Sequence, residues 1–187
     1  TLNELQALDA GSWFGNEFLG ECIPTLEQVL KFLNEHELKA NLELKPTGNA
    51  ELDIHTATLT AEALADLPDA DALLEEKSLV LSSFSYPALK ALKKLNPKLT
   101  LNYALEVEDW DQDITAHLDD LKDNFEALMP YGIIINQECL TQAHVDTIHK
   151  LLCNNILAHT VNDKLRANEL FSWGVLAVFS DVLGMTD

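Results

Sequence analysis

Asn41-Leu42-Glu43-Leu44-Lys45 alternates strictly between polar and apolar residues, and that alternation decides the fold. Successive side chains of a strand point to opposite faces. Leu42 and Leu44 therefore face one way, and Asn41, Glu43 and Lys45 the other. A strand inside an open parallel sheet is covered by helices on both sides and is apolar on both. A closed barrel instead accepts polar side chains near the carboxyl ends of its strands, where catalytic groups gather. The alternation favours a barrel over an open doubly wound sheet.

The segments around this strand repeat one unit, a short β-rich run followed by an amphipathic helical run. Residues 25–38 read as a helix after Pro24. Thr25 and Gln28 have capping-box spacing, and Leu26, Val29, Leu30 and Leu33 share one face. Further strands are expected at 78–84, 99–106, 132–136, 156–161 and 175–180, with helices at 87–95, 114–128, 141–152 and 163–173. Gly174 is placed to end the last helix in a left-handed conformation. Residues 48–77, with Thr56, Thr58 and Thr60 near their start, read as a loop followed by one or two helical turns. Strands alternating with helices mean right-handed βαβ units and parallel pairing. A (β/α)8 barrel has eight strands in about 250 residues. Six strands in 187 residues therefore read as such a barrel lacking roughly its first two β/α units.

The chain carries 12 Lys+Arg against 31 Asp+Glu, a net charge of −19. With no basic run it is unsuited to nucleic acid or to an anionic membrane surface. No apolar stretch is long enough to span a bilayer. Thr1-Leu2-Asn3-Glu4-Leu5 has neither an initiator Met nor the regions of a signal peptide. Cys22, Cys139 and Cys153 have no Cys-x-x-Cys spacing, so they read as small buried or half-buried fillers in a reducing, cytoplasmic compartment.

Glu43 and Lys45, two residues apart on one strand face, form the sharpest chemical pair. A carboxylate there can ligate Mg²⁺ or Ca²⁺ through hard oxygen, and the ammonium can meet a phosphate oxygen as charge develops. A solvent-facing edge strand would show the same alternation. His36, His117, His144 and His149 read as surface or satisfied residues, and His55 falls in the 48–77 loop. Asn162, Asn136 and Glu106 end their strands, and Asn162 is well placed to cap the following helix. The acidic run Glu106 to Asp113 lacks the spacing of a calcium loop. No Gly-x-Ser-x-Gly elbow and no P-loop is present.

Several segments, in order along the chain, resemble the glycerophosphodiester phosphodiesterases. They are Gly11-Ser12-Trp13-Phe14 with Ile23-Pro24-Thr25-Leu26-Glu27-Gln28-Val29-Leu30, then Asn41-Leu42-Glu43-Leu44-Lys45-Pro46, then Leu81-Ser82-Ser83-Phe84. Thr160-Val161-Asn162-Asp163, Phe171-Ser172-Trp173-Gly174-Val175 and Phe179-Ser180-Asp181 complete the series. The resemblance implies a (β/α)8 barrel that uses a divalent metal, Mg²⁺ or Ca²⁺, to hydrolyse small glycerophosphodiesters to glycerol 3-phosphate and an alcohol. It makes Glu43 a metal ligand, and Lys45 a catalytic and substrate-binding residue. His159 stands where the family usually has an aromatic and is a candidate substrate contact. Trp13 and Phe14, in an insertion over the barrel mouth, are candidate covers of the substrate. No N-terminal His-Arg-Gly or Glu-x-Asp motif precedes these segments, so the acid/base histidines are expected outside this chain. Residues 1–187 then form a single domain, with 1–24 the remainder of the insertion and 25–187 the barrel from its second helix to its eighth strand. Such a piece is expected to be inactive alone, and its exposed edges suit a homo-oligomer. The alternatives are a barrel remnant serving as a binding or assembly module, and an unrelated barrel or open-sheet enzyme.

Overall fold

The computed structural model describes residues 1–106 and 114–184. Its strands are β1 (Ala40–Leu44), β2 (Leu79–Ser83), β3 (Leu101–Ala104), β4 (Gly132–Asn136), β5 (Ile156–His159) and β6 (Ala177–Val178). Its helices are α1 (Leu2–Gln6), α2 (Leu26–Glu35), α3 (Ala50–Asp66), α4 (Pro68–Glu75), α5 (Tyr86–Leu95), α6 (Thr115–Leu128), α7 (Gln142–Leu151) and α8 (Lys164–Ser172). The strands form one six-stranded sheet in the order β1-β2-β3-β4-β5-β6, and every neighbouring pair is parallel. A doubly wound sheet reverses its strand order at a switch point; this one never reverses.

Burial separates the two sheet faces. Leu44, Leu79, Leu81, Leu101, Tyr103, Leu105, Ile133, Ile135, Ile156 and Ala158 lie in one apolar cluster with helix residues such as Leu30, Leu89, Leu92, Leu118, Ile148 and Leu170. The other face carries Asn41, Glu43, Ser82 and Asn102, and the register sets Glu43, Ser82 and Asn102 side by side across β1, β2 and β3. Helices thus pack on one face only, and the opposite face is left for chemistry. The sheet also curls. Strands lie about 4.8 Å apart, so a flat sheet would set β1 and β6 about 24 Å apart. Yet residues from β1 and from the β6 end line one cavity of about 250 Å³.

Local signals explain most of the elements. The Thr25–Gln28 capping box forms, with Gln28 N donating to Thr25 Oγ1 at 3.2 Å and Thr25 N to Gln28 Oε1 at 2.8 Å. Leu30 and Leu33 are the buried residues of α2. Gly174 takes φ +98° at the end of α8, as its position requires.

Four readings are corrected. Residues 48–77 form two helices rather than a loop with turns. The Asn49 side chain caps α3 by accepting from Glu51 N and Leu52 N. Thr58 and Thr60 return their hydroxyls to Ile54 O and Thr56 O at 2.8 Å, which lets a threonine-rich run stay helical. Pro68 then opens α4 from its first turn. The cap of α8 is Asp163, which accepts from Arg166 N at 2.8 Å, and not Asn162. The regular part of the last strand is only Ala177–Val178, although Leu176 N and Phe179 N still bond Ile156 O and Ala158 O. Cys22 is exposed, so it is no filler. The acidic stretch beyond Glu106 lies outside the described residues up to Ile114.

Gly132 opens β4 where β5 begins to pair. A Cβ there would sit 2.6 Å from the Asn155 carbonyl oxygen and 2.9 Å from Asn155 Cβ. That carbonyl is held by Ile133 N at 3.0 Å, and the Asn155 amide donates to Tyr131 O at 2.7 Å, so neither neighbour yields easily. Gly132→Ala is expected to cost about 1–3 kcal/mol by overpacking. Urea unfolding should show a lower midpoint with an unchanged slope.

Candidate active site

The cavity opens on the polar face, at the carboxyl ends of the strands. Asn41 and Glu43 come from β1, with Lys45 just beyond it, and Ser82 and Phe84 from the β2 end. Ala104 and Ile134 form part of the wall, and His159, Thr160 and Phe179 close the far side. Glu43, Lys45 and His159 are thus brought together as the sequence suggested. Trp13 and Phe14 do not line this cavity. They are 81% and 70% exposed and join Phe18 in a chain of edge-on rings, with centroids 5.7 and 5.2 Å apart.

Lys45 Nζ lies 2.8 Å from Glu43 Oε1. The contact is an ion pair, and Oε1 is buried with no hydrogen-bond partner beside it among the described residues. The Lys45 side chain is 78% exposed, so its head can leave Glu43 for a ligand without dragging packed atoms. Asn41 Nδ2 donates to Ser82 Oγ at 2.8 Å. Ser83 faces the other way and donates to Leu44 O at 2.6 Å, fixing the end of β1 where Lys45 departs.

His159 stands edge-on to Phe84, with ring centroids 5.9 Å apart and planes at 83°. Its Nε2 is buried without a hydrogen-bond partner among the described residues. Burial pushes its pKa below the ordinary histidine value, Glu43 pulls it up and Lys45 pushes it down. A neutral imidazole at neutral pH follows, a hydrogen-bonding group rather than a cation. Burial also raises the Cys153 thiol to about 11, which keeps it an inert thiol.

The remaining candidates have structural tasks. Asn136 Oδ1 accepts from Glu138 N at 3.0 Å. Asn162 Oδ1 accepts from Asp181 N at 2.9 Å and Ser180 Oγ at 3.1 Å, tying the segment after β6 to the β5 exit. His144 is buried, with Nδ1 2.8 Å from Cys139 O. Ser82, Thr160 and Phe179 were not singled out from sequence. Asn41 shares the alternation of Glu43 and Lys45 and could have been found there. The choice of Ser82 over Ser83 needs the pairing register.

The loop carrying Lys45 is anchored by Asp53 of α3, whose Oδ1 accepts from Thr47 N at 2.8 Å and Thr47 Oγ1 at 2.7 Å. The Thr47 backbone N–H, the Ser85 hydroxyl and the Thr47 hydroxyl, in that order, hold the Asp53 carboxyl below its ordinary value. A depressed folded-state pKa gives stability that is present above the unfolded value, about 3.9. It is lost as pH falls through the folded one. Asp53→Asn is therefore expected to flatten the fall of Tm with acid below about pH 4. A wild-type slope in the variant would remove Asp53 from this role.

Among the described residues no cluster of three or more His, Cys, Asp or Glu could hold a metal ion. Glu43 offers the cavity a single carboxylate, so an ion there would need further oxygen ligands beyond the described residues. Also among the described residues, no helix is long and apolar enough to cross a membrane.

Fold and site define a parallel α/β protein with helices on one face of a curled sheet and an acid–amine pair in a cleft on the other. A sequence profile of the Glycerophosphoryl diester phosphodiesterase family matches residues 1–185, and the chain belongs to that family. A glycerophosphodiester phosphodiesterase of Bacillus subtilis is 26% identical over 194 residues, covering 97% of this chain and 61% of that protein. One from Caldanaerobacter subterraneus is 30% identical over 113 residues, covering 59% of this chain and 43% of that protein. An Oleispira antarctica phosphodiesterase, solved in complex with the product sn-glycerol-3-phosphate, is 34% identical with a TM-score of 0.76. That match covers 97% of this chain and 66% of the other. A Parabacteroides distasonis glycerophosphodiester phosphodiesterase shares the fold at 24% identity and a TM-score of 0.69, covering 97% of this chain and 66% of that one. The chain thus spans less than two thirds of the Bacillus subtilis and Caldanaerobacter subterraneus relatives.

Proposed function

We propose that this chain carries the Glu43–Lys45 half of a site that hydrolyses glycerophosphodiesters to glycerol 3-phosphate and an alcohol. The observation that carries the reading is the pair itself. A buried carboxylate oxygen without a hydrogen-bond partner among the described residues and a solvent-reaching ammonium stand 2.8 Å apart on the wall of one cavity. The product bound to the Oleispira antarctica relative supports the same chemistry. Lys45 would hold a phosphate oxygen and offset the charge that builds there during displacement. Neutral His159 would turn Nε2 to a substrate hydroxyl or phosphoryl oxygen, and Trp13 and Phe14 would fold over the substrate. Glu43 would be one ligand of Mg²⁺ or Ca²⁺, an ion that polarises the phosphoryl oxygen when bound.

The sequential one-sided sheet supports reading the six strands as units three to eight of an eight-stranded barrel. On that reading the acid/base histidines and the other metal carboxylates are supplied outside these 187 residues. The outer strands β1 and β6 support edge pairing with a second copy when the chain is alone, and three free cysteines support a cytoplasmic setting. The test is turnover of glycerophosphocholine by the product of the complete reading frame with Mg²⁺ or Ca²⁺. Release of glycerol 3-phosphate that stops on chelation is expected, with no measurable turnover by the 187-residue chain. No product from the complete protein would contradict the reading.

A further inference from the structure

Lys45 reaches the cavity on a side chain that is 78% exposed, so packing does little to set its direction. Its aim comes from the backbone, and the backbone on either side of it is held. Leu44 O, just before it, accepts from Ser83 Oγ at 2.6 Å. Pro46, just after it, biases Lys45 away from helical conformations. Thr47 N then donates to Asp53 Oδ1 at 2.8 Å, and Thr47 Oγ1 donates to the same oxygen at 2.7 Å. The two anchors are themselves joined: Ser85 N donates to Ser83 Oγ at 3.0 Å, and the Ser85 hydroxyl bonds the Asp53 carboxylate. Asp53, Ser83 and Ser85 are all buried. Asp53 belongs to α3 and Ser85 caps α5, two helices packed together, so the anchors are part of the framework. A closed ring of polar contacts thus runs from Leu44 through Ser83, Ser85 and Asp53 to Thr47, and Lys45 sits on the span of chain that completes it.

We infer that Asp53 and Thr47 are positioning residues for the reaction, holding the backbone from which Lys45 reaches the phosphate. Neither lines the cavity, so each acts through Lys45. Their loss keeps the ammonium but lets its attachment point shift. A small misplacement of a group that meets developing charge falls on kcat. The inference rests on the reading of Lys45 as the group that meets the phosphate, and the variants below separate the two.

The test measures kcat and KM for glycerophosphocholine in the complete protein. Asp53→Ala, Asp53→Asn, Thr47→Val and Thr47→Ser are each made in the wild-type and the Lys45→Met backgrounds, and urea curves establish that each is folded at the assay temperature. Asp53→Ala is expected to lower kcat about tenfold to a hundredfold with little change in KM, the upper end being the cost of an ångström of misplacement. Asp53→Asn keeps an acceptor for Thr47 N and should recover much of the rate. Thr47→Val should lose about threefold to tenfold, and Thr47→Ser, which keeps the hydroxyl, should stay near wild type. In the Lys45→Met background the same changes should matter less than about twofold, since groups that act through one residue are not additive. Should Asp53→Ala not fold, Thr47→Val against Thr47→Ser carries the same comparison. Equal fold losses in both backgrounds would overturn the positioning role while leaving Lys45 at the reacting centre. So would an unchanged kcat in Asp53→Ala and Thr47→Val where Lys45→Met is impaired. A wild-type rate in Lys45→Met would remove the reading beneath, and the inference with it.

Discussion

Lys45→Met is expected to lower kcat for glycerophosphocholine about a hundredfold to a thousandfold in the complete protein, with a smaller change in KM. The magnitude is that of removing one preorganised positive or hydrogen-bonding group from the place where charge develops. The split follows from the ground state. Lys45 already has an anionic partner in Glu43 at 2.8 Å, so turning to a singly charged diester exchanges one ion pair for another and gains little binding. As the phosphoryl group acquires charge the exchange becomes favourable, and the gain falls on kcat. Lys45→Arg should recover part of the rate, because charge is kept while the planar fork changes the reach and geometry of the donors. Unchanged kcat in Lys45→Met, with Mg²⁺ or Ca²⁺ saturating, would remove Lys45 from the reacting centre.

The second large effect is on stability. Arg166, the only arginine in the chain, joins α8 to the exit of β4. Its Nη2 donates to Gln137 O at 2.6 Å and Leu140 O at 2.8 Å, and its Nε donates to Gln137 Oε1 at 2.8 Å. Nη1 pairs with Glu169, and the guanidinium lies 4.9 Å from the Trp173 ring centre. Arg166→Ala leaves the Leu140 carbonyl and the Gln137 amide oxygen without these donors in a part-buried seam, while Gln137 O keeps only the Leu140 N–H at 3.2 Å. We expect a loss of about 2–4 kcal/mol, from the desolvation cost of unpaired acceptors together with the lost stacking. Arg166→Lys should recover less than half, since an ammonium cannot serve these divergent acceptors at once. Urea unfolding at fixed pH reads both variants. A midpoint shift below about 0.5 kcal/mol for Arg166→Ala, the ordinary surface range, would contradict the assignment.

Much of the architecture is legible because the strands obey a period-two pattern with unlike faces. The alternation at Asn41 to Lys45 separates a chemical face from a packing face, and the one-sided core confirms that separation. Where periodicity is blurred the reading fails. In α3 the apolar residues spread around the helix, and threonines, ordinarily unfavourable in helices, are accommodated by hydroxyl bonds to the preceding turn. Its burial against α5 comes from tertiary packing, which no local window contains. The Asn162 error has a similar source. Asn162 and Asp163 are adjacent capping residues, and the register of Arg166 chooses between them.

The site is legible to the same depth. Glu43 and Lys45 are visible because one strand sets their common direction. His159 reaches the same cavity from β5 only because the sheet curls, a relation between strands more than a hundred residues apart in sequence. The staple at Arg166 is invisible for that reason too: its acceptors, Gln137 and Leu140, lie on the far side of α7 in sequence. Family resemblance supplies the chemistry at Glu43 and Lys45, whereas the mutual position of the two heads comes from the structure alone.

The most direct measurement of the central claim is the rate of glycerol 3-phosphate release from glycerophosphocholine by the complete protein and its Glu43→Gln form across a Mg²⁺ or Ca²⁺ titration. Loss of a metal-binding carboxylate should cost roughly a hundredfold or more at fixed metal and shift the metal requirement to higher concentration. Equal rates and equal metal dependence in the two proteins would show that Glu43 holds no ion, and that the acid–amine pair of β1 is not the working part of this site.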